Sequence, residues 1–340
     1  MRVNNISLLK TIAISLVVMI HFGPLQYSYE GTKLNYNMFL VYRSLLSIGV
    51  PLFLIISGYL TIEKDYSIKK CLRRVSHLLF LIIAFKIIYA YSFNVGFKSF
   101  SDLVYALTST IAKGYRVNHM WYLYALIAIY LMYPIISYCY KDKKIYTYIV
   151  IIVVSSAFIL NPVCLLFKET LGYDLQLIEA TLPLQSHYLF AIAYFMVGGW
   201  LRKAELPLFK KLGITPLLIS FVLLISLQAL YAQVLSNYTN TLFDPMYDGY
   251  SIVTCLFSSI IVFTIFKDKV KRIDSKFIKK VSCYTFGIYL IHWPLAYYIK
   301  PIIFDLVNIN IYIENFIASI IVLLISLLLN IKYLKNLITF

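Results

Sequence analysis

The chain has 340 residues, 61% of them hydrophobic and 14% charged, where a soluble globular domain holds roughly 45–50% apolar and about 25% charged residues. A water-soluble fold of this size cannot hide that much apolar surface. The 31 Lys and Arg against 15 Asp and Glu would suggest nucleic acid in a soluble chain, but in a membrane chain they read first as topology, and no nucleic-acid partner is expected.

Apolar stretches near the roughly 20 residues that cross a roughly 30 Å hydrocarbon core as helix recur along the chain. In order they lie at about 8–26, 39–61, 76–94, 119–138, 145–161, 185–201, 213–233, 248–266, 282–299 and 311–330. This pattern predicts an all-α, polytopic integral membrane protein of about ten transmembrane helices. It leaves 1–340 as a single membrane domain with no separate soluble domain. Arg2 and Lys10 before the first apolar run resemble a signal peptide, but no small-residue cleavage site follows His21, so the segment reads as a retained helix.

Cytoplasmic flanks should hold the Lys and Arg. With the N-terminus inside, 23 of the 31 fall on cytoplasmic ends, chiefly Lys64 to Arg74, Lys141 to Lys144, Arg202 to Lys211 and Lys267 to Lys280. An even number of spans then places the C-terminus inside as well. Only Cys164 of the five cysteines reaches the outer side, so no disulfide framework is expected. The chain lacks CxxC, HExxH, GxxxxGK and the dinucleotide glycine fingerprint, which leaves metal, ATP and nicotinamide cofactors without support.

Polar groups inside apolar spans are expensive and are functional candidates. Lys10 and His21 stand eleven residues apart, about three helical turns, so they share one face about 16 Å apart along the axis. One can sit at the cytoplasmic mouth and the other deep; the plainer alternative is a topology anchor and a packed histidine. Lys86, near the middle of the third span with no acidic residue within a turn, either faces the bundle interior or snorkels outward. Asn118 and His119 open the fourth span from the outer side, where an acceptor could dock, although capping explains Asn118 equally. Trp121, Tyr289 and His292 fit aromatic belts as well as sites.

Several stretches taken together resemble the membrane acyltransferase 3 family. ISLLKTIAISLVVMIHF is similar to that family's first helix, marked by an arginine, ten residues and a histidine; here Lys10 holds the arginine's place and His21 is in register. GVPLFLIISGYL resembles the second helix with its Ser57–Gly58 pair, followed by the basic KKCLRRVSH. HMWYLYALIAIYLMYP resembles the fourth helix with Trp121, FMVGGWL the Gly198–Gly199 motif, and SCYTFGIYLIHWPL the penultimate helix with Tyr289 and His292. Two departures stand out: lysine lacks the planar fork of the expected arginine, and the glutamate that some members carry after the tryptophan is absent, with apolar residues such as Leu126 there instead.

The resemblance implies a short, stand-alone O-acyltransferase of the surface-polysaccharide or O-antigen type in the bacterial cytoplasmic (inner) membrane. An acyl group, most simply acetyl, would move from cytoplasmic acyl-CoA to a hydroxyl of a cell-surface or lipid-linked saccharide, with no permanently bound cofactor and no metal. His21 would serve as base or acyl carrier, because an imidazole titrates near neutral pH, with Lys10 beside the donor. Lys69, Arg73 and Arg74, with Lys86, are the candidate acyl-CoA contacts, since arginine grips phosphate with paired hydrogen bonds; attraction to anionic membrane lipids is the alternative for the basic loop. Ser57, Asn118, His119, Trp121, Tyr289 and His292 are acceptor or supporting candidates. The competing reading is a glycan exporter or flippase, but the internal repeats usual in transporters are not apparent.

Overall fold

In a computed structural model the described residues are 5–22, 33–64, 66–93, 101, 111–112, 115–116, 118–172, 188–203, 211–245, 249–307 and 310–334. They form twelve α-helices: α1 (Ile6–Met19), α2 (Lys33–Ser47), α3 (Gly49–Thr61), α4 (Ile68–Ser92), α5 (Trp121–Tyr140), α6 (Lys143–Ser155), α7 (Asn161–Leu171), α8 (Leu189–Lys203), α9 (Ile214–Thr239), α10 (Val253–Thr264), α11 (Lys276–Val307) and α12 (Ile311–Leu329). A two-residue antiparallel pairing, β1 (Ile111–Ala112) with β2 (Tyr115–Arg116), is the one departure from an all-helical reading among the described residues.

Helix starts follow local chemistry. Ser67 and Asp142 accept hydrogen bonds from backbone N–H groups in the first turns of α4 and α6, and Asn310 does so for α12. These caps satisfy donors that a helix leaves unpaired at its N-terminus. Asn5 works at longer range. Its amide donates to the carbonyls of Val270 (2.9 Å) and Lys271 (3.1 Å) and accepts from the Ile273 N–H (2.8 Å), which fastens the start of α1 to the segment before α11.

Where its residues are described, each predicted span falls largely on helix, but only six helical stretches among the described residues are long and apolar enough to cross a membrane. They are Met38–Thr61, Ile68–Ser92, Trp121–Tyr140, Lys143–Leu171, Ile214–Thr239 and Ile311–Tyr333. The other predicted spans lie on α1 and α8, with 14 and 15 residues, on α10 with 12, and on the longer but more polar α11. Large apolar side chains such as Phe80, Ile151, Val222, Leu223 and Leu328 are exposed. Hydrocarbon is the solvent that suits such a surface, and the chain is a multi-pass membrane protein.

The stretch Met38–Thr61 is 78% buried in its apolar window, against 28% for Ile214–Thr239, so α3 is central and α9 peripheral. The helix pair α3 and α8 makes the most extensive contact, and α1 packs between α3, α11 and α12. Glycines permit the α3–α8 approach: a Cβ on Gly58 would collide with the Phe195 carbonyl, and one on Gly198 with the Ile55 carbonyl. The Ser-Gly and Gly-Gly motifs are thus points of close backbone contact, as small residues are in membrane bundles. Gly58→Ala and Gly198→Ala should each destabilise the bundle by about 1–3 kcal/mol, read as a lower melting temperature in detergent; unchanged melting would mean that α3 and α8 lie further apart.

Candidate functional site

A cavity of about 250 Å³ runs between α1, α3, α5, α8 and α11. Its lining includes Lys10 and Val17 from α1, Val50 to Thr61 from α3, Tyr122 to Tyr130 from α5, and Thr285 and Tyr289 from α11. The eleven residue steps from Val50 to Thr61 span about 16 Å of helix, so the cavity is elongated along the bundle. Lys10, Thr61, Tyr130 and Thr285 mark one end. Val17, Val50, Tyr122 and Tyr289 mark the other, and His21 lies one helical turn beyond Val17. Ser57 is a polar member of a wall that is otherwise mostly apolar.

Beyond the second end three histidines meet. The ring of His21 lies 5.0 Å from His292, 6.1 Å from His119 and 4.7 Å from Trp293; His119 and His292 are 5.6 Å apart. All three are buried. They come from the turn after α1, the 3₁₀ turn Asn118–Met120 before α5, and the middle of α11.

Pro294 explains much of this arrangement. It has no N–H, so the carbonyl four residues earlier, Leu290, loses its helical donor. The Tyr89 hydroxyl from α4 fills that vacancy by donating to the Leu290 carbonyl. With its proton committed there, Tyr89 accepts from Nε2 of His119, 2.9 Å away. The proton of neutral His119 is thereby assigned to Nε2, and Nδ1 keeps a lone pair that is buried without a partner. On His292 the carbonyls of Tyr289 (2.6 Å) and Ile288 (3.3 Å) require a proton on Nδ1, which leaves Nε2 as a second buried, unpartnered acceptor. Tyr289 completes the linkage by donating to the His119 carbonyl, with its ring in the cavity wall. The cluster therefore offers imidazole lone pairs, which suit a group arriving with an O–H or N–H to give up.

At the Lys10 end a second, open basin of about 550 Å³ is lined by Glu63, Lys64, Tyr66, Tyr138, Lys141 and Lys203, among others. Arg74 stands between the two hollows. Its guanidinium donates to Tyr130 (2.7 Å), which lines the first, and to Tyr66 (3.0 Å), which lines the second. Glu63 pairs with Arg202 at 2.8 Å.

The sequence candidates separate accordingly. His21, His119, His292 and Tyr289 come together, and Lys10, Ser57 and Tyr289 line the cavity. Lys69 and Arg73 line neither hollow and are exposed; Arg74, Leu78, Leu81 and Phe85 occupy the inward face of α4, and Arg73 lies about 100° off that face. Lys86 faces the interior, 1% exposed, with its ammonium 5.9 Å from the Tyr124 ring, outside the cavity lining. Trp121 packs against Tyr250 (5.3 Å) and Phe190 (5.6 Å), away from the histidines. The Asn118 side chain lies outside the described residues. In the sequence Lys64, Lys141 and Lys203 carry only a topology signal, since a basic loop looks the same with or without a ligand, and no local pattern marks Arg43 or Asp244. No group of three or more His, Cys, Asp or Glu among the described residues is arranged to hold a metal ion.

A family model described as an acyltransferase domain matches residues 3–331. The chain belongs to the membrane acyltransferase 3 family. It is an acyltransferase enzyme, and acts on an acyl donor and an acceptor in a membrane setting. No curated protein and no solved structure matches the chain.

Pro294→Ala tests how the acyltransferase positions His119. The alanine N–H can return to the Leu290 carbonyl and displace Tyr89, while helix stability holds or improves because an interior proline is removed. Transfer at matched abundance should fall by about tenfold or more through misplacement of His119, with the melting temperature unchanged or higher. Full activity in that variant would show that the tyrosine link is not required.

Proposed function

We propose that this enzyme moves an acyl group, most simply acetyl, from cytoplasmic acyl-CoA to a hydroxyl of a cell-surface or lipid-linked saccharide at the bacterial cytoplasmic membrane. The observation that carries the reading is an elongated, largely apolar cavity with Lys10 at one end and buried imidazole lone pairs beyond the other. A thin acyl-pantetheine arm suits such a channel. The basin with Lys64, Lys141 and Lys203 suits the phosphates of the donor, and its tyrosines offer faces on which a planar base can stack.

The reaction needs little more than these groups. The acceptor oxygen attacks the thioester carbonyl; the C–O bond forms and the C–S bond breaks. The hydroxyl proton passes to an imidazole lone pair and then to the departing thiolate. His21 is the choice for this role because its ring meets His292, His119 and Trp293 together and follows the cavity residue Val17 by one turn; a neutral imidazole keeps one lone pair of its own. An acyl-imidazole formed first would need the same lone pair. With about ten crossings and both termini inside, the basin lysines and Lys10 would face the cytoplasm and the histidines would lie toward the other side.

In lipid nanodiscs, the purified protein should transfer radiolabelled acetyl from acetyl-CoA to isolated surface polysaccharide. His21→Ala and His21→Gln should lower that rate by about 10²–10⁴-fold, the range of positioned acid–base catalysis, at near-normal membrane abundance. Glutamine preserves some hydrogen bonds but cannot exchange protons near neutral pH, so robust transfer by His21→Gln would make His21 a structural residue.

A further inference from the structure

The carbonyls at the end of α1 need partners, because the last four of any helix have none within it. Those of Val18 and Met19 accept from the N–H groups of His21 (3.2 Å) and Phe22 (3.0 Å) in a tightened final turn. The next carbonyl, Ile20, accepts from Nη1 of Arg43 at 2.8 Å. Arg43 comes from α2 and is 1% exposed. Its Nε donates to Asp244 Oδ1 at 3.0 Å and its Nη2 pairs with Oδ2, while the guanidinium lies 5.7 Å from the Phe39 ring. One cation thus ties α1, α2 and the chain after α9 together, one peptide from His21.

A buried ion pair is a poor way to gain stability, since desolvating both charges costs several kcal/mol that apolar packing would not incur. Arginine here does something apolar packing cannot. Its planar fork holds a carboxylate along one edge and still presents an N–H to a carbonyl, which the single ammonium of lysine does not reproduce. The cation also complements the negative end of α1.

We propose that Arg43 and Asp244 are positioning residues for acyl transfer: by clamping the Ile20 carbonyl, the pair holds the His21 imidazole against His292 and Trp293. This rests on His21 as the reacting imidazole. The clamp acts on the backbone, so it governs where the ring stands and not whether the donor binds; Lys10, Ser57 and the basin are untouched by it.

The test uses the full chain in nanodiscs, labelled with 5-fluorotryptophan. The protein has three tryptophans, so three fluorine resonances are expected, and Trp293→Phe assigns the one beside His21. Arg43→Gln should move the Trp293 resonance and leave Trp200 in place. It should cut kcat by about 100-fold, as displacement of a reacting group by an ångström does, with KM for acetyl-CoA held to about twofold. The isosteric Asp244→Asn should act in the same direction to a smaller extent. The exchange Arg43→Asp with Asp244→Arg should restore heat stability but not kcat, because the Ile20 carbonyl stays unclamped. Recovery of kcat by the exchange, or an unmoved Trp293 resonance in Arg43→Gln, would overturn the proposal. If the unmodified protein transferred no acetyl, the proposed reaction would fail, while the fluorine shift would still decide whether Arg43 sets the place of His21.

Discussion

A carbonyl stripped of its partner inside a membrane costs several kcal/mol, because no water is present to replace the lost bond. Pro294 strips Leu290 in this way, and the structure around the histidines follows from how that carbonyl is satisfied. Tyr89 must come from α4 to reach it. Having given its proton, the tyrosine can only accept, and His119 supplies the donor. The tautomer of the His119 imidazole is thus traced back, through two hydrogen bonds, to a missing N–H in α11.

The same rule shapes the end of α1, where Arg43 satisfies Ile20. In water either carbonyl would be solvated and neither tyrosine nor arginine would be needed. In hydrocarbon each unsatisfied group recruits a side chain from another helix, and that side chain fixes the position of a histidine. Hydrophobic burial holds α3 to α8 through their glycines, but burial is not directional. Polar accounting supplies the direction.

Much of this was legible in the sequence, for identifiable reasons. Apolar runs carry a strong helical signal, so each predicted span falls largely on helix where its residues are described; the number that cross was harder, because α1 and α8 are short and α11 mixes apolar with polar residues. His21 and Lys10 stood out because charge and imidazole are rare in such runs, and the ordered family motifs pointed to His292 and Tyr289. What the sequence could not show was which helix faces meet. Lys69 and Arg73 share a basic stretch with Arg74, yet a rotation of about 100° per residue leaves only Arg74 turned toward the cavity. Arg43 and Asp244 are 201 residues apart, and no local pattern links them. Pro294 lies within α11, and no local pattern shows which side chain takes over the Leu290 carbonyl.

The central claim is that the donor's acyl arm enters between Lys10 and the histidines. A photoreactive acyl-CoA analogue, crosslinked in nanodiscs and mapped by mass spectrometry, tests it most directly. Labels should fall on cavity residues such as Val50, Tyr122 and Tyr289 and should disappear when acetyl-CoA competes. Competed labelling confined to the outward face of α4, at Leu79 and Phe80, would contradict it.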